Sequence, residues 1–271
     1  MSKIDLYKGD CLDVKHTAAW SGGKDSTYMI DELLRLRYPL DEVIFCDTGH
    51  EFPIMYEYIE KVKQYWESKY DIKITLLNWG KGKELWNKWA ESNFKKGQFK
   101  GQKRGFPFHM GMSWCTREVK INPMKKYLNK QYPKCNIFEY VGIAYNEPSR
   151  IKETGELYPL YDDWKITEDE IALKLVERGL HNPLYNHFHR TGCFNCPKQS
   201  LSSLYKLWKH YPKEWEYIRQ TQERYTLENA GVSLFKGYTW QELVLKFEQY
   251  EEKGKPTNYL AEEQPIGCMC K

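Results

Sequence analysis

The chain has 271 residues, 41% hydrophobic and 29% charged, with a formal net charge of only +4. That is room for one domain of roughly 200–250 residues plus an appendage, or for two smaller ones, and it excludes a disordered chain or a histone-like polycation. No apolar run approaches the roughly 18 residues of a membrane span, and Met1 to Asp10 lacks the apolar core of a signal peptide. The eight cysteines are therefore expected as thiols or metal ligands of a cytoplasmic protein rather than as structural disulfides.

Asp13 to Trp20 ends in the short apolar stretch Thr17-Ala18-Ala19-Trp20, and a glycine-rich turn follows at once. Met29, Ile30, Leu33, Leu34 and Leu36 recur with a period near 3.6, which predicts a helix over 25–37. A buried strand is expected over 42–46, a helix over 53–69 with proline in its first turn, and a third strand over 72–77. Strand, helix, strand, helix, strand is the pattern of a parallel sheet covered by helices, so the fold class is α/β. Residues 81–105 break that rhythm with many lysines, several glycines and few acids. Trp86, Trp89, Phe94 and Phe99 are interleaved with the lysines, an arrangement that suits a nucleic-acid backbone with bases on the rings, or a basic lid over a triphosphate. A helix is expected over 116–130 and a fourth strand over 136–143. From Thr167 onward the pattern is mostly helical, with aromatic periodicity over 201–211, 215–225 and 240–250. The expected division is a nucleotide-binding α/β domain over 1–165 and a helical region over 166–271.

Ser21-Gly22-Gly23-Lys24-Asp25-Ser26 lies between a strand and a helix. Paired glycines let the backbone come close to a ligand, and the amides opening a helix attract an anion. Ser21 and Ser26 can donate hydroxyl hydrogen bonds, and Lys24 can neutralise phosphate. The spacing does not fit a Walker loop, which needs four residues between its glycines.

The loop resembles that of the PP-loop nucleotide alpha-hydrolases, in which Ser-Gly-Gly-x-Asp-Ser cradles nucleotide phosphates. Further marks narrow the resemblance: Asp47-Thr48-Gly49 with Glu51-Phe52; Gly142-Ile143-Ala144 with Glu147 and Arg150; Tyr158-Pro159-Leu160 with Trp164; and Asn182-Pro183-Leu184-Tyr185 before Gly192-Cys193. In that order they are similar to the phosphoadenylyl sulfate reductase superfamily, over roughly residues 15 to 200. The resemblance implies an adenine nucleotide, ATP or adenylyl sulfate, held by residues 21–26 with adenosine contacts near Asp47, Thr48 and Gly142. It makes Lys24 and Asp25 catalytic candidates and Arg150 a candidate grip on a phosphate or sulfate oxyanion; a surface ion pair is the alternative for Arg150. ATP chemistry would also use Mg²⁺, which Asp25 could help to hold.

Cys193-Phe194-Asn195-Cys196 is a Cys-x-x-Cys turn, whose two sulfurs can meet one metal. Trp114-Cys115 precedes a basic helix, as does a Cys-Cys pair in the iron–sulfur reductases that this region is similar to. Trp114 stands where the first of that pair would be, so the resemblance carries over only Cys115. Cys115, Cys193 and Cys196 are three ligands where a [4Fe–4S] cluster wants four. The fourth iron would stay open, or Cys268, Cys270, His187 or His189 would complete the set, or the metal would be zinc. A Cys193/Cys196 redox disulfide is a further alternative. His16, His50, His109 and His181 show no ligand spacing and are expected to be structural. Cys268 and Cys270 sit in a tail that lacks the Glu-Cys-Gly context of the assimilatory reductases, yet a tail thiolate could still attack sulfur.

The resemblance supports two activities. One is adenylation of an acceptor followed by sulfur transfer, as in tRNA thiolation and DNA phosphorothioation. The other is reduction of adenylyl sulfate or its 3′-phosphate to sulfite. The intact loop favours the first. The implied partners are a nucleic-acid acceptor, DNA or tRNA, and a cysteine desulfurase or thiol-reducing protein. A non-catalytic nucleotide-binding subunit of a desulfurase is the third reading.

Overall fold

The computed structural model describes residues 14–107, 114–152, 155–226 and 238–253. In chain order the elements are β1 Val14–Trp20, α1 Lys24–Arg35, β2 Glu42–Cys46, α2 Pro53–Lys69, β3 Lys73–Leu77 and α3 Gly82–Glu91. A π-helical turn, Thr116–Ile121, runs into α4 Asn122–Gln131, and β4 Asn136–Tyr140 follows. Then come α5 Pro159–Asp162, α6 Glu168–Glu177, α7 Leu201–His210, α8 Pro212–Thr226 and α9 Trp240–Glu252. Among the described residues no helix is long and apolar enough to cross a membrane.

The chain folds into two compact units. The first comprises residues up to 47, 53–79 and 122–192; the second comprises 48–52, 80–121 and 193 onward.

The first unit is built on a parallel four-stranded sheet in the order β3-β2-β1-β4. Every residue of the central β2 is buried, as its run of Val, Ile, Phe and Cys requires. Glu42 opens that strand with no exposed surface and is held by its neighbours. Thr75 donates to one carboxylate oxygen, Tyr127 donates at 2.6 Å, Tyr132 at 2.7 Å, and the Lys73 ammonium lies 3.0 Å away. On α1, the buried Asp31 and Glu32 accept from the two arms of Arg178 at 2.7 Å each, which ties α1 to the end of α6. A capping box at Thr167, with Glu170, starts α6.

β1 leads through α1 to β2 on one side, while β4 pairs with β1 on the other. The sheet order therefore reverses between β1 and β4, and ligands of open α/β sheets collect outside the strand ends at such a point.

β4 is shorter than expected, ending at Tyr140 rather than Ile143. Val141 to Ala144 leaves the ladder, and Ile143 and Ala144 are buried as loop residues. The helix expected over 116–130 is a π-helical turn followed by α4. Pro123 has no N–H to give the carbonyl four residues back, and a locally widened turn tolerates that loss.

The second unit is an assembly of helices around aromatic rings. Trp86 on α3 packs against His50, Phe106, Trp114 and Tyr225, with ring centroids 4.9–6.2 Å apart. Trp215 meets Trp240 edge-on at 4.5 Å and joins Phe247 on α9. Much of the aromatic excess in the composition is spent here as core.

Candidate functional site: a phosphate loop and a cysteine cavity

In the first unit the loop after β1 is set by two close approaches. Gly22 has φ +73° and sits where a Cβ would lie 2.7 Å from the Met55 sulfur. Gly142, in the loop after β4, lies so close to α1 that a Cβ there would be 2.8 Å from the Ser26 nitrogen. The two loops at the switch point thus touch backbone to backbone.

Hydroxyls and amides hold the loop in shape. Ser21 and Ser26 share a hydrogen bond at 2.9 Å, the Gly23 N–H donates to Ser21 Oγ at 3.2 Å, and Asn182 donates to the Gly22 carbonyl at 2.8 Å. The Lys24 N–H donates to the Tyr185 hydroxyl at 2.9 Å. No side chain caps the N-terminus of α1, so its first-turn dipole is left for an anion.

Charge is concentrated beside it. Asp25, Glu147 and Glu168 each bring a carboxylate oxygen within 4.8 Å of the others. The Lys24 ammonium lies 3.0 Å from Asp25 and also pairs with Glu168, while Arg150 and Arg190 pair with Glu147. Burial opposes the charge on Lys24, but Asp25, the Tyr185 oxygen and Glu168 outweigh it and hold the ammonium above its usual range. Burial pushes the Asp25 carboxyl up, Lys24 pulls it partly back, and Glu168 and Glu147 add to the rise. Three carboxylates at this spacing are hard oxygen donors of the kind Mg²⁺ takes.

In the second unit Cys115, Cys193 and Cys196 line one cavity, together with Thr48, His50, Trp86, Lys120 and Lys198 among others. Cys115 comes from the residue before the π-helical turn, and Cys193 and Cys196 from a tight turn in which the Cys196 N–H donates to the Cys193 carbonyl at 3.2 Å. That turn is pinned by the Phe194 N–H to the His50 carbonyl at 2.8 Å and by Gln199 donating to the Phe194 carbonyl. The neighbouring Cys196 thiol and burial push Cys193 well above the ordinary thiol range, with Lys120 acting the other way.

His50 is nine-tenths enclosed, and burial lowers its pKa to about 4. Its Nδ1 faces the Thr48 carbonyl at 3.3 Å, which can only accept, so Nδ1 carries the proton and Nε2 accepts from Tyr217 at 3.1 Å.

The donor set around the cavity is soft: three thiols, with no carboxylate in the lining. Asn195, between the two cysteines of the turn, is 2% exposed, and neither its amide nitrogen nor its oxygen has a hydrogen-bond partner. Sulfur atoms of a cluster accept hydrogen bonds, so they could satisfy the amide N–H of that side chain but not its oxygen. Lys120 and Lys198 would offset the negative charge of bound thiolates. The residues present therefore fit an iron–sulfur group.

Residues 15–138 match the family model of the phosphoadenosine phosphosulfate reductase domain. The matched domain runs from β1 into β4. An uncharacterized protein of Methanocaldococcus jannaschii is 27% identical over 88% of the chain and 50% of its own length. The chain spans about half the length of the curated Methanocaldococcus relatives it matches, 50% and 58%. Among solved structures, the chain is similar to phosphoadenylyl-sulfate reductase from Candida auris in a phosphate complex, at TM-score 0.44, 14% identity, 70% of this chain and 85% of that one. It is also similar to the U34-tRNA thiolase NcsA from Methanococcus maripaludis with its [4Fe-4S] cluster, at TM-score 0.39, 16% identity, 96% of this chain and 80% of that one.

Within and beyond the reductase-type domain, the expected site residues fall into two groups. Ser21 to Ser26, Gly142 and Arg150 gather in the first unit. Asp47 belongs to it as well, at the end of β2, where it accepts from Tyr56 at 2.9 Å. Thr48 belongs to the second unit, donates to Glu51 at 2.9 Å and lines the cysteine cavity. Cys268 and Cys270, and with them the tail expectation, lie outside the described residues, as does His109.

One expectation is corrected. Trp86 and Phe94 are 3% and 6% exposed, so they are core residues and offer no face to a base. Glu168 and the lining residue Lys198 drew no attention in the sequence, because each is brought in by tertiary folding and belongs to no local motif. His50 was expected to be structural; it is that, and it also lines the cavity.

Proposed function

We propose that the chain is an ATP pyrophosphatase that activates an acceptor for sulfur transfer, using a [4Fe–4S] cluster on Cys115, Cys193 and Cys196. The observation that carries this reading is the convergence of those three cysteines on one cavity, in a chain that also keeps an intact phosphate loop.

On this reading the amides at the start of α1, with the Ser21 and Ser26 hydroxyls, hold the triphosphate. Asp25, Glu147 and Glu168 would hold Mg²⁺. Mg²⁺ held there would supply charge to offset the phosphates, and Lys24, now paired with Asp25 and Glu168, would be available to phosphate oxygens. An acceptor oxygen attacks the alpha-phosphorus and its proton passes to water, the bond to the beta-phosphate breaks, and pyrophosphate leaves. Sulfide-level sulfur, released from a persulfide by a thiol reductant that is oxidised to its disulfide, then bonds to the acceptor as its bond to AMP breaks. Cys115, Cys193 and Cys196 would hold the cluster, which would supply iron able to bind and deliver sulfur. Without a cation Cys193 is a poor nucleophile, since Cys196 and burial hold its proton on. The acceptor class is nucleic acid, DNA or tRNA, and a cysteine desulfurase is the matching sulfur source.

The matched domain favours a second reading, reduction of adenylyl sulfate or its 3′-phosphate to sulfite with a thiol-reducing partner. The two readings differ in their phosphorus product. Incubation of the anaerobically purified protein with Mg²⁺, ATP, sulfide and bulk tRNA or DNA should release AMP and pyrophosphate together. Sulfite release from adenylyl sulfate, with no pyrophosphate from ATP under any acceptor, would replace the first reading by the second.

A further inference from the structure

Residues 93–104 form an ordered basic hairpin in the second unit. Asn93 and Lys103 are bridged antiparallel. The Phe94 N–H donates to the Gln102 carbonyl at 2.9 Å, and the Gly101 N–H returns to the Phe94 carbonyl at 2.8 Å. Gly97 and Gly101 take φ of +81° and +86°, which turns the tip in a way a side chain would resist. The base of the hairpin is closed by the Arg104 N–H to the Ser92 carbonyl and the Gly105 N–H to the Ala90 carbonyl, both at 2.9 Å.

It carries a cluster of positive charge. No Asp or Glu lies between Glu91 and Glu118 in the sequence. Lys95, Lys96 and Lys100 are exposed at the tip, and among the described residues none of them pairs with a carboxylate. Beneath them Arg104 is 5% exposed. It stacks on Trp89 and Phe94 at 4.9 and 4.8 Å, donates to Ser92 Oγ at 2.9 Å, and has one terminal nitrogen without a partner. A buried guanidinium with no acid beside it is costly to keep, and its field, poorly screened by protein, adds to that of the three lysines above it. Phe94 and Phe99 pack on each other at 5.9 Å, so these rings stiffen the hairpin.

We infer that this hairpin docks the phosphate backbone of a nucleic acid, holding it through Lys95, Lys96 and Lys100 without reading its bases. The inference rests on the nucleic-acid acceptor of the proposed function and names the element that would engage it. A stiff, positive, acid-free projection suits a regularly spaced polyanion. Phe94 is buried and the half-buried Phe99 packs on it, which leaves the lysines as the main means of contact.

The test is binding alone, without ATP or metal, so its outcome is independent of turnover. Fluorescence anisotropy would follow a mixed-sequence single-stranded RNA, the same sequence as DNA, and the DNA duplex, across a salt series. A Lys95→Gln/Lys96→Gln/Lys100→Gln variant is expected to weaken binding at least tenfold. It should also lower the slope of log affinity against log salt by about 2–3, one step per lost phosphate contact. The three nucleic acids decide which form is docked. Unchanged affinity and slope in the variant would overturn the inference. So would wild-type protein that binds none of the three, or that binds vesicles of anionic phospholipid and no nucleic acid.

Discussion

Gly142 shows how much one missing side chain decides. A Cβ there would lie 2.8–2.9 Å from the backbone of Asp25 and Ser26, and backbone cannot swing aside as a side-chain end can. Gly142→Ala should push the β4 loop off α1 and open the phosphate loop. Nucleotide affinity should fall at least tenfold and stability by about 1–3 kcal/mol, the usual cost of overpacking. Nucleotide titration by calorimetry and a urea melt would check both; unchanged affinity would mean that the two loops do not shape one site. Gly142 was legible in the sequence only through its place in a family-like pattern. Its reason, contact with a helix more than 110 positions earlier, is tertiary. The loop itself was easier to read, because Ser21 to Ser26 are contiguous and strand and helix patterns flank them. Glu168, which pairs with Lys24 across 144 positions, carries no such signal.

At the scale of elements, Glu42 is the joint between β2, β3 and α4. Burial alone would raise its pKa, but hydrogen bonds from Thr75, Tyr127, Tyr132 and Lys73 outweigh that and hold the carboxyl below its ordinary value. A carboxyl depressed in the folded state stabilises the protein above the unfolded glutamate pKa, and the contribution is lost as pH falls through the lower folded value. Glu42→Gln should cost about 1–3 kcal/mol near neutral pH, since it replaces a charge-assisted set of hydrogen bonds. The gap between variant and wild type in urea melts should narrow below about pH 4, where the wild-type carboxyl takes up its proton. A gap that stays constant with pH would show that the loss is one of packing. The strands and helices around this joint were legible because hydrophobic period and turn residues agree there. The exceptions share a cause. β4 stops early because Gly142 must approach α1, and the helix expected over 116–130 changes pitch where Pro123 withholds an N–H. In both places a tertiary or covalent constraint overrides a pattern that would otherwise continue.

Over the whole molecule, the chain passes between its two units five times, at 47/48, 52/53, 79/80, 121/122 and 192/193. A sequence read in one direction suggests consecutive domains; interleaved segments leave no mark in composition. The consequence is a division of labour, with the phosphate loop and its carboxylates in the first unit and the three cysteines in the second. The two halves of the proposed chemistry should therefore fail separately. Lys24→Ala removes the ammonium that answers phosphate charge, and it should raise the nucleotide dissociation constant tenfold or more while leaving metal content alone. Cys193→Ala removes one of three sulfurs, and it should lose the metal while nucleotide binding persists. Anaerobic purification with assays for iron, acid-labile sulfide and zinc gives the reference point. A brown wild-type protein with about four irons and four sulfides per chain would place the cluster on Cys115, Cys193 and Cys196. About one zinc and no iron would instead make the second unit's site structural and remove the cluster from the reaction. If Cys193→Ala kept its full metal, the ligand set would be wrong whichever metal it is. Loss of metal in Lys24→Ala would break the proposed separation, because no ligand of that set lies in the first unit.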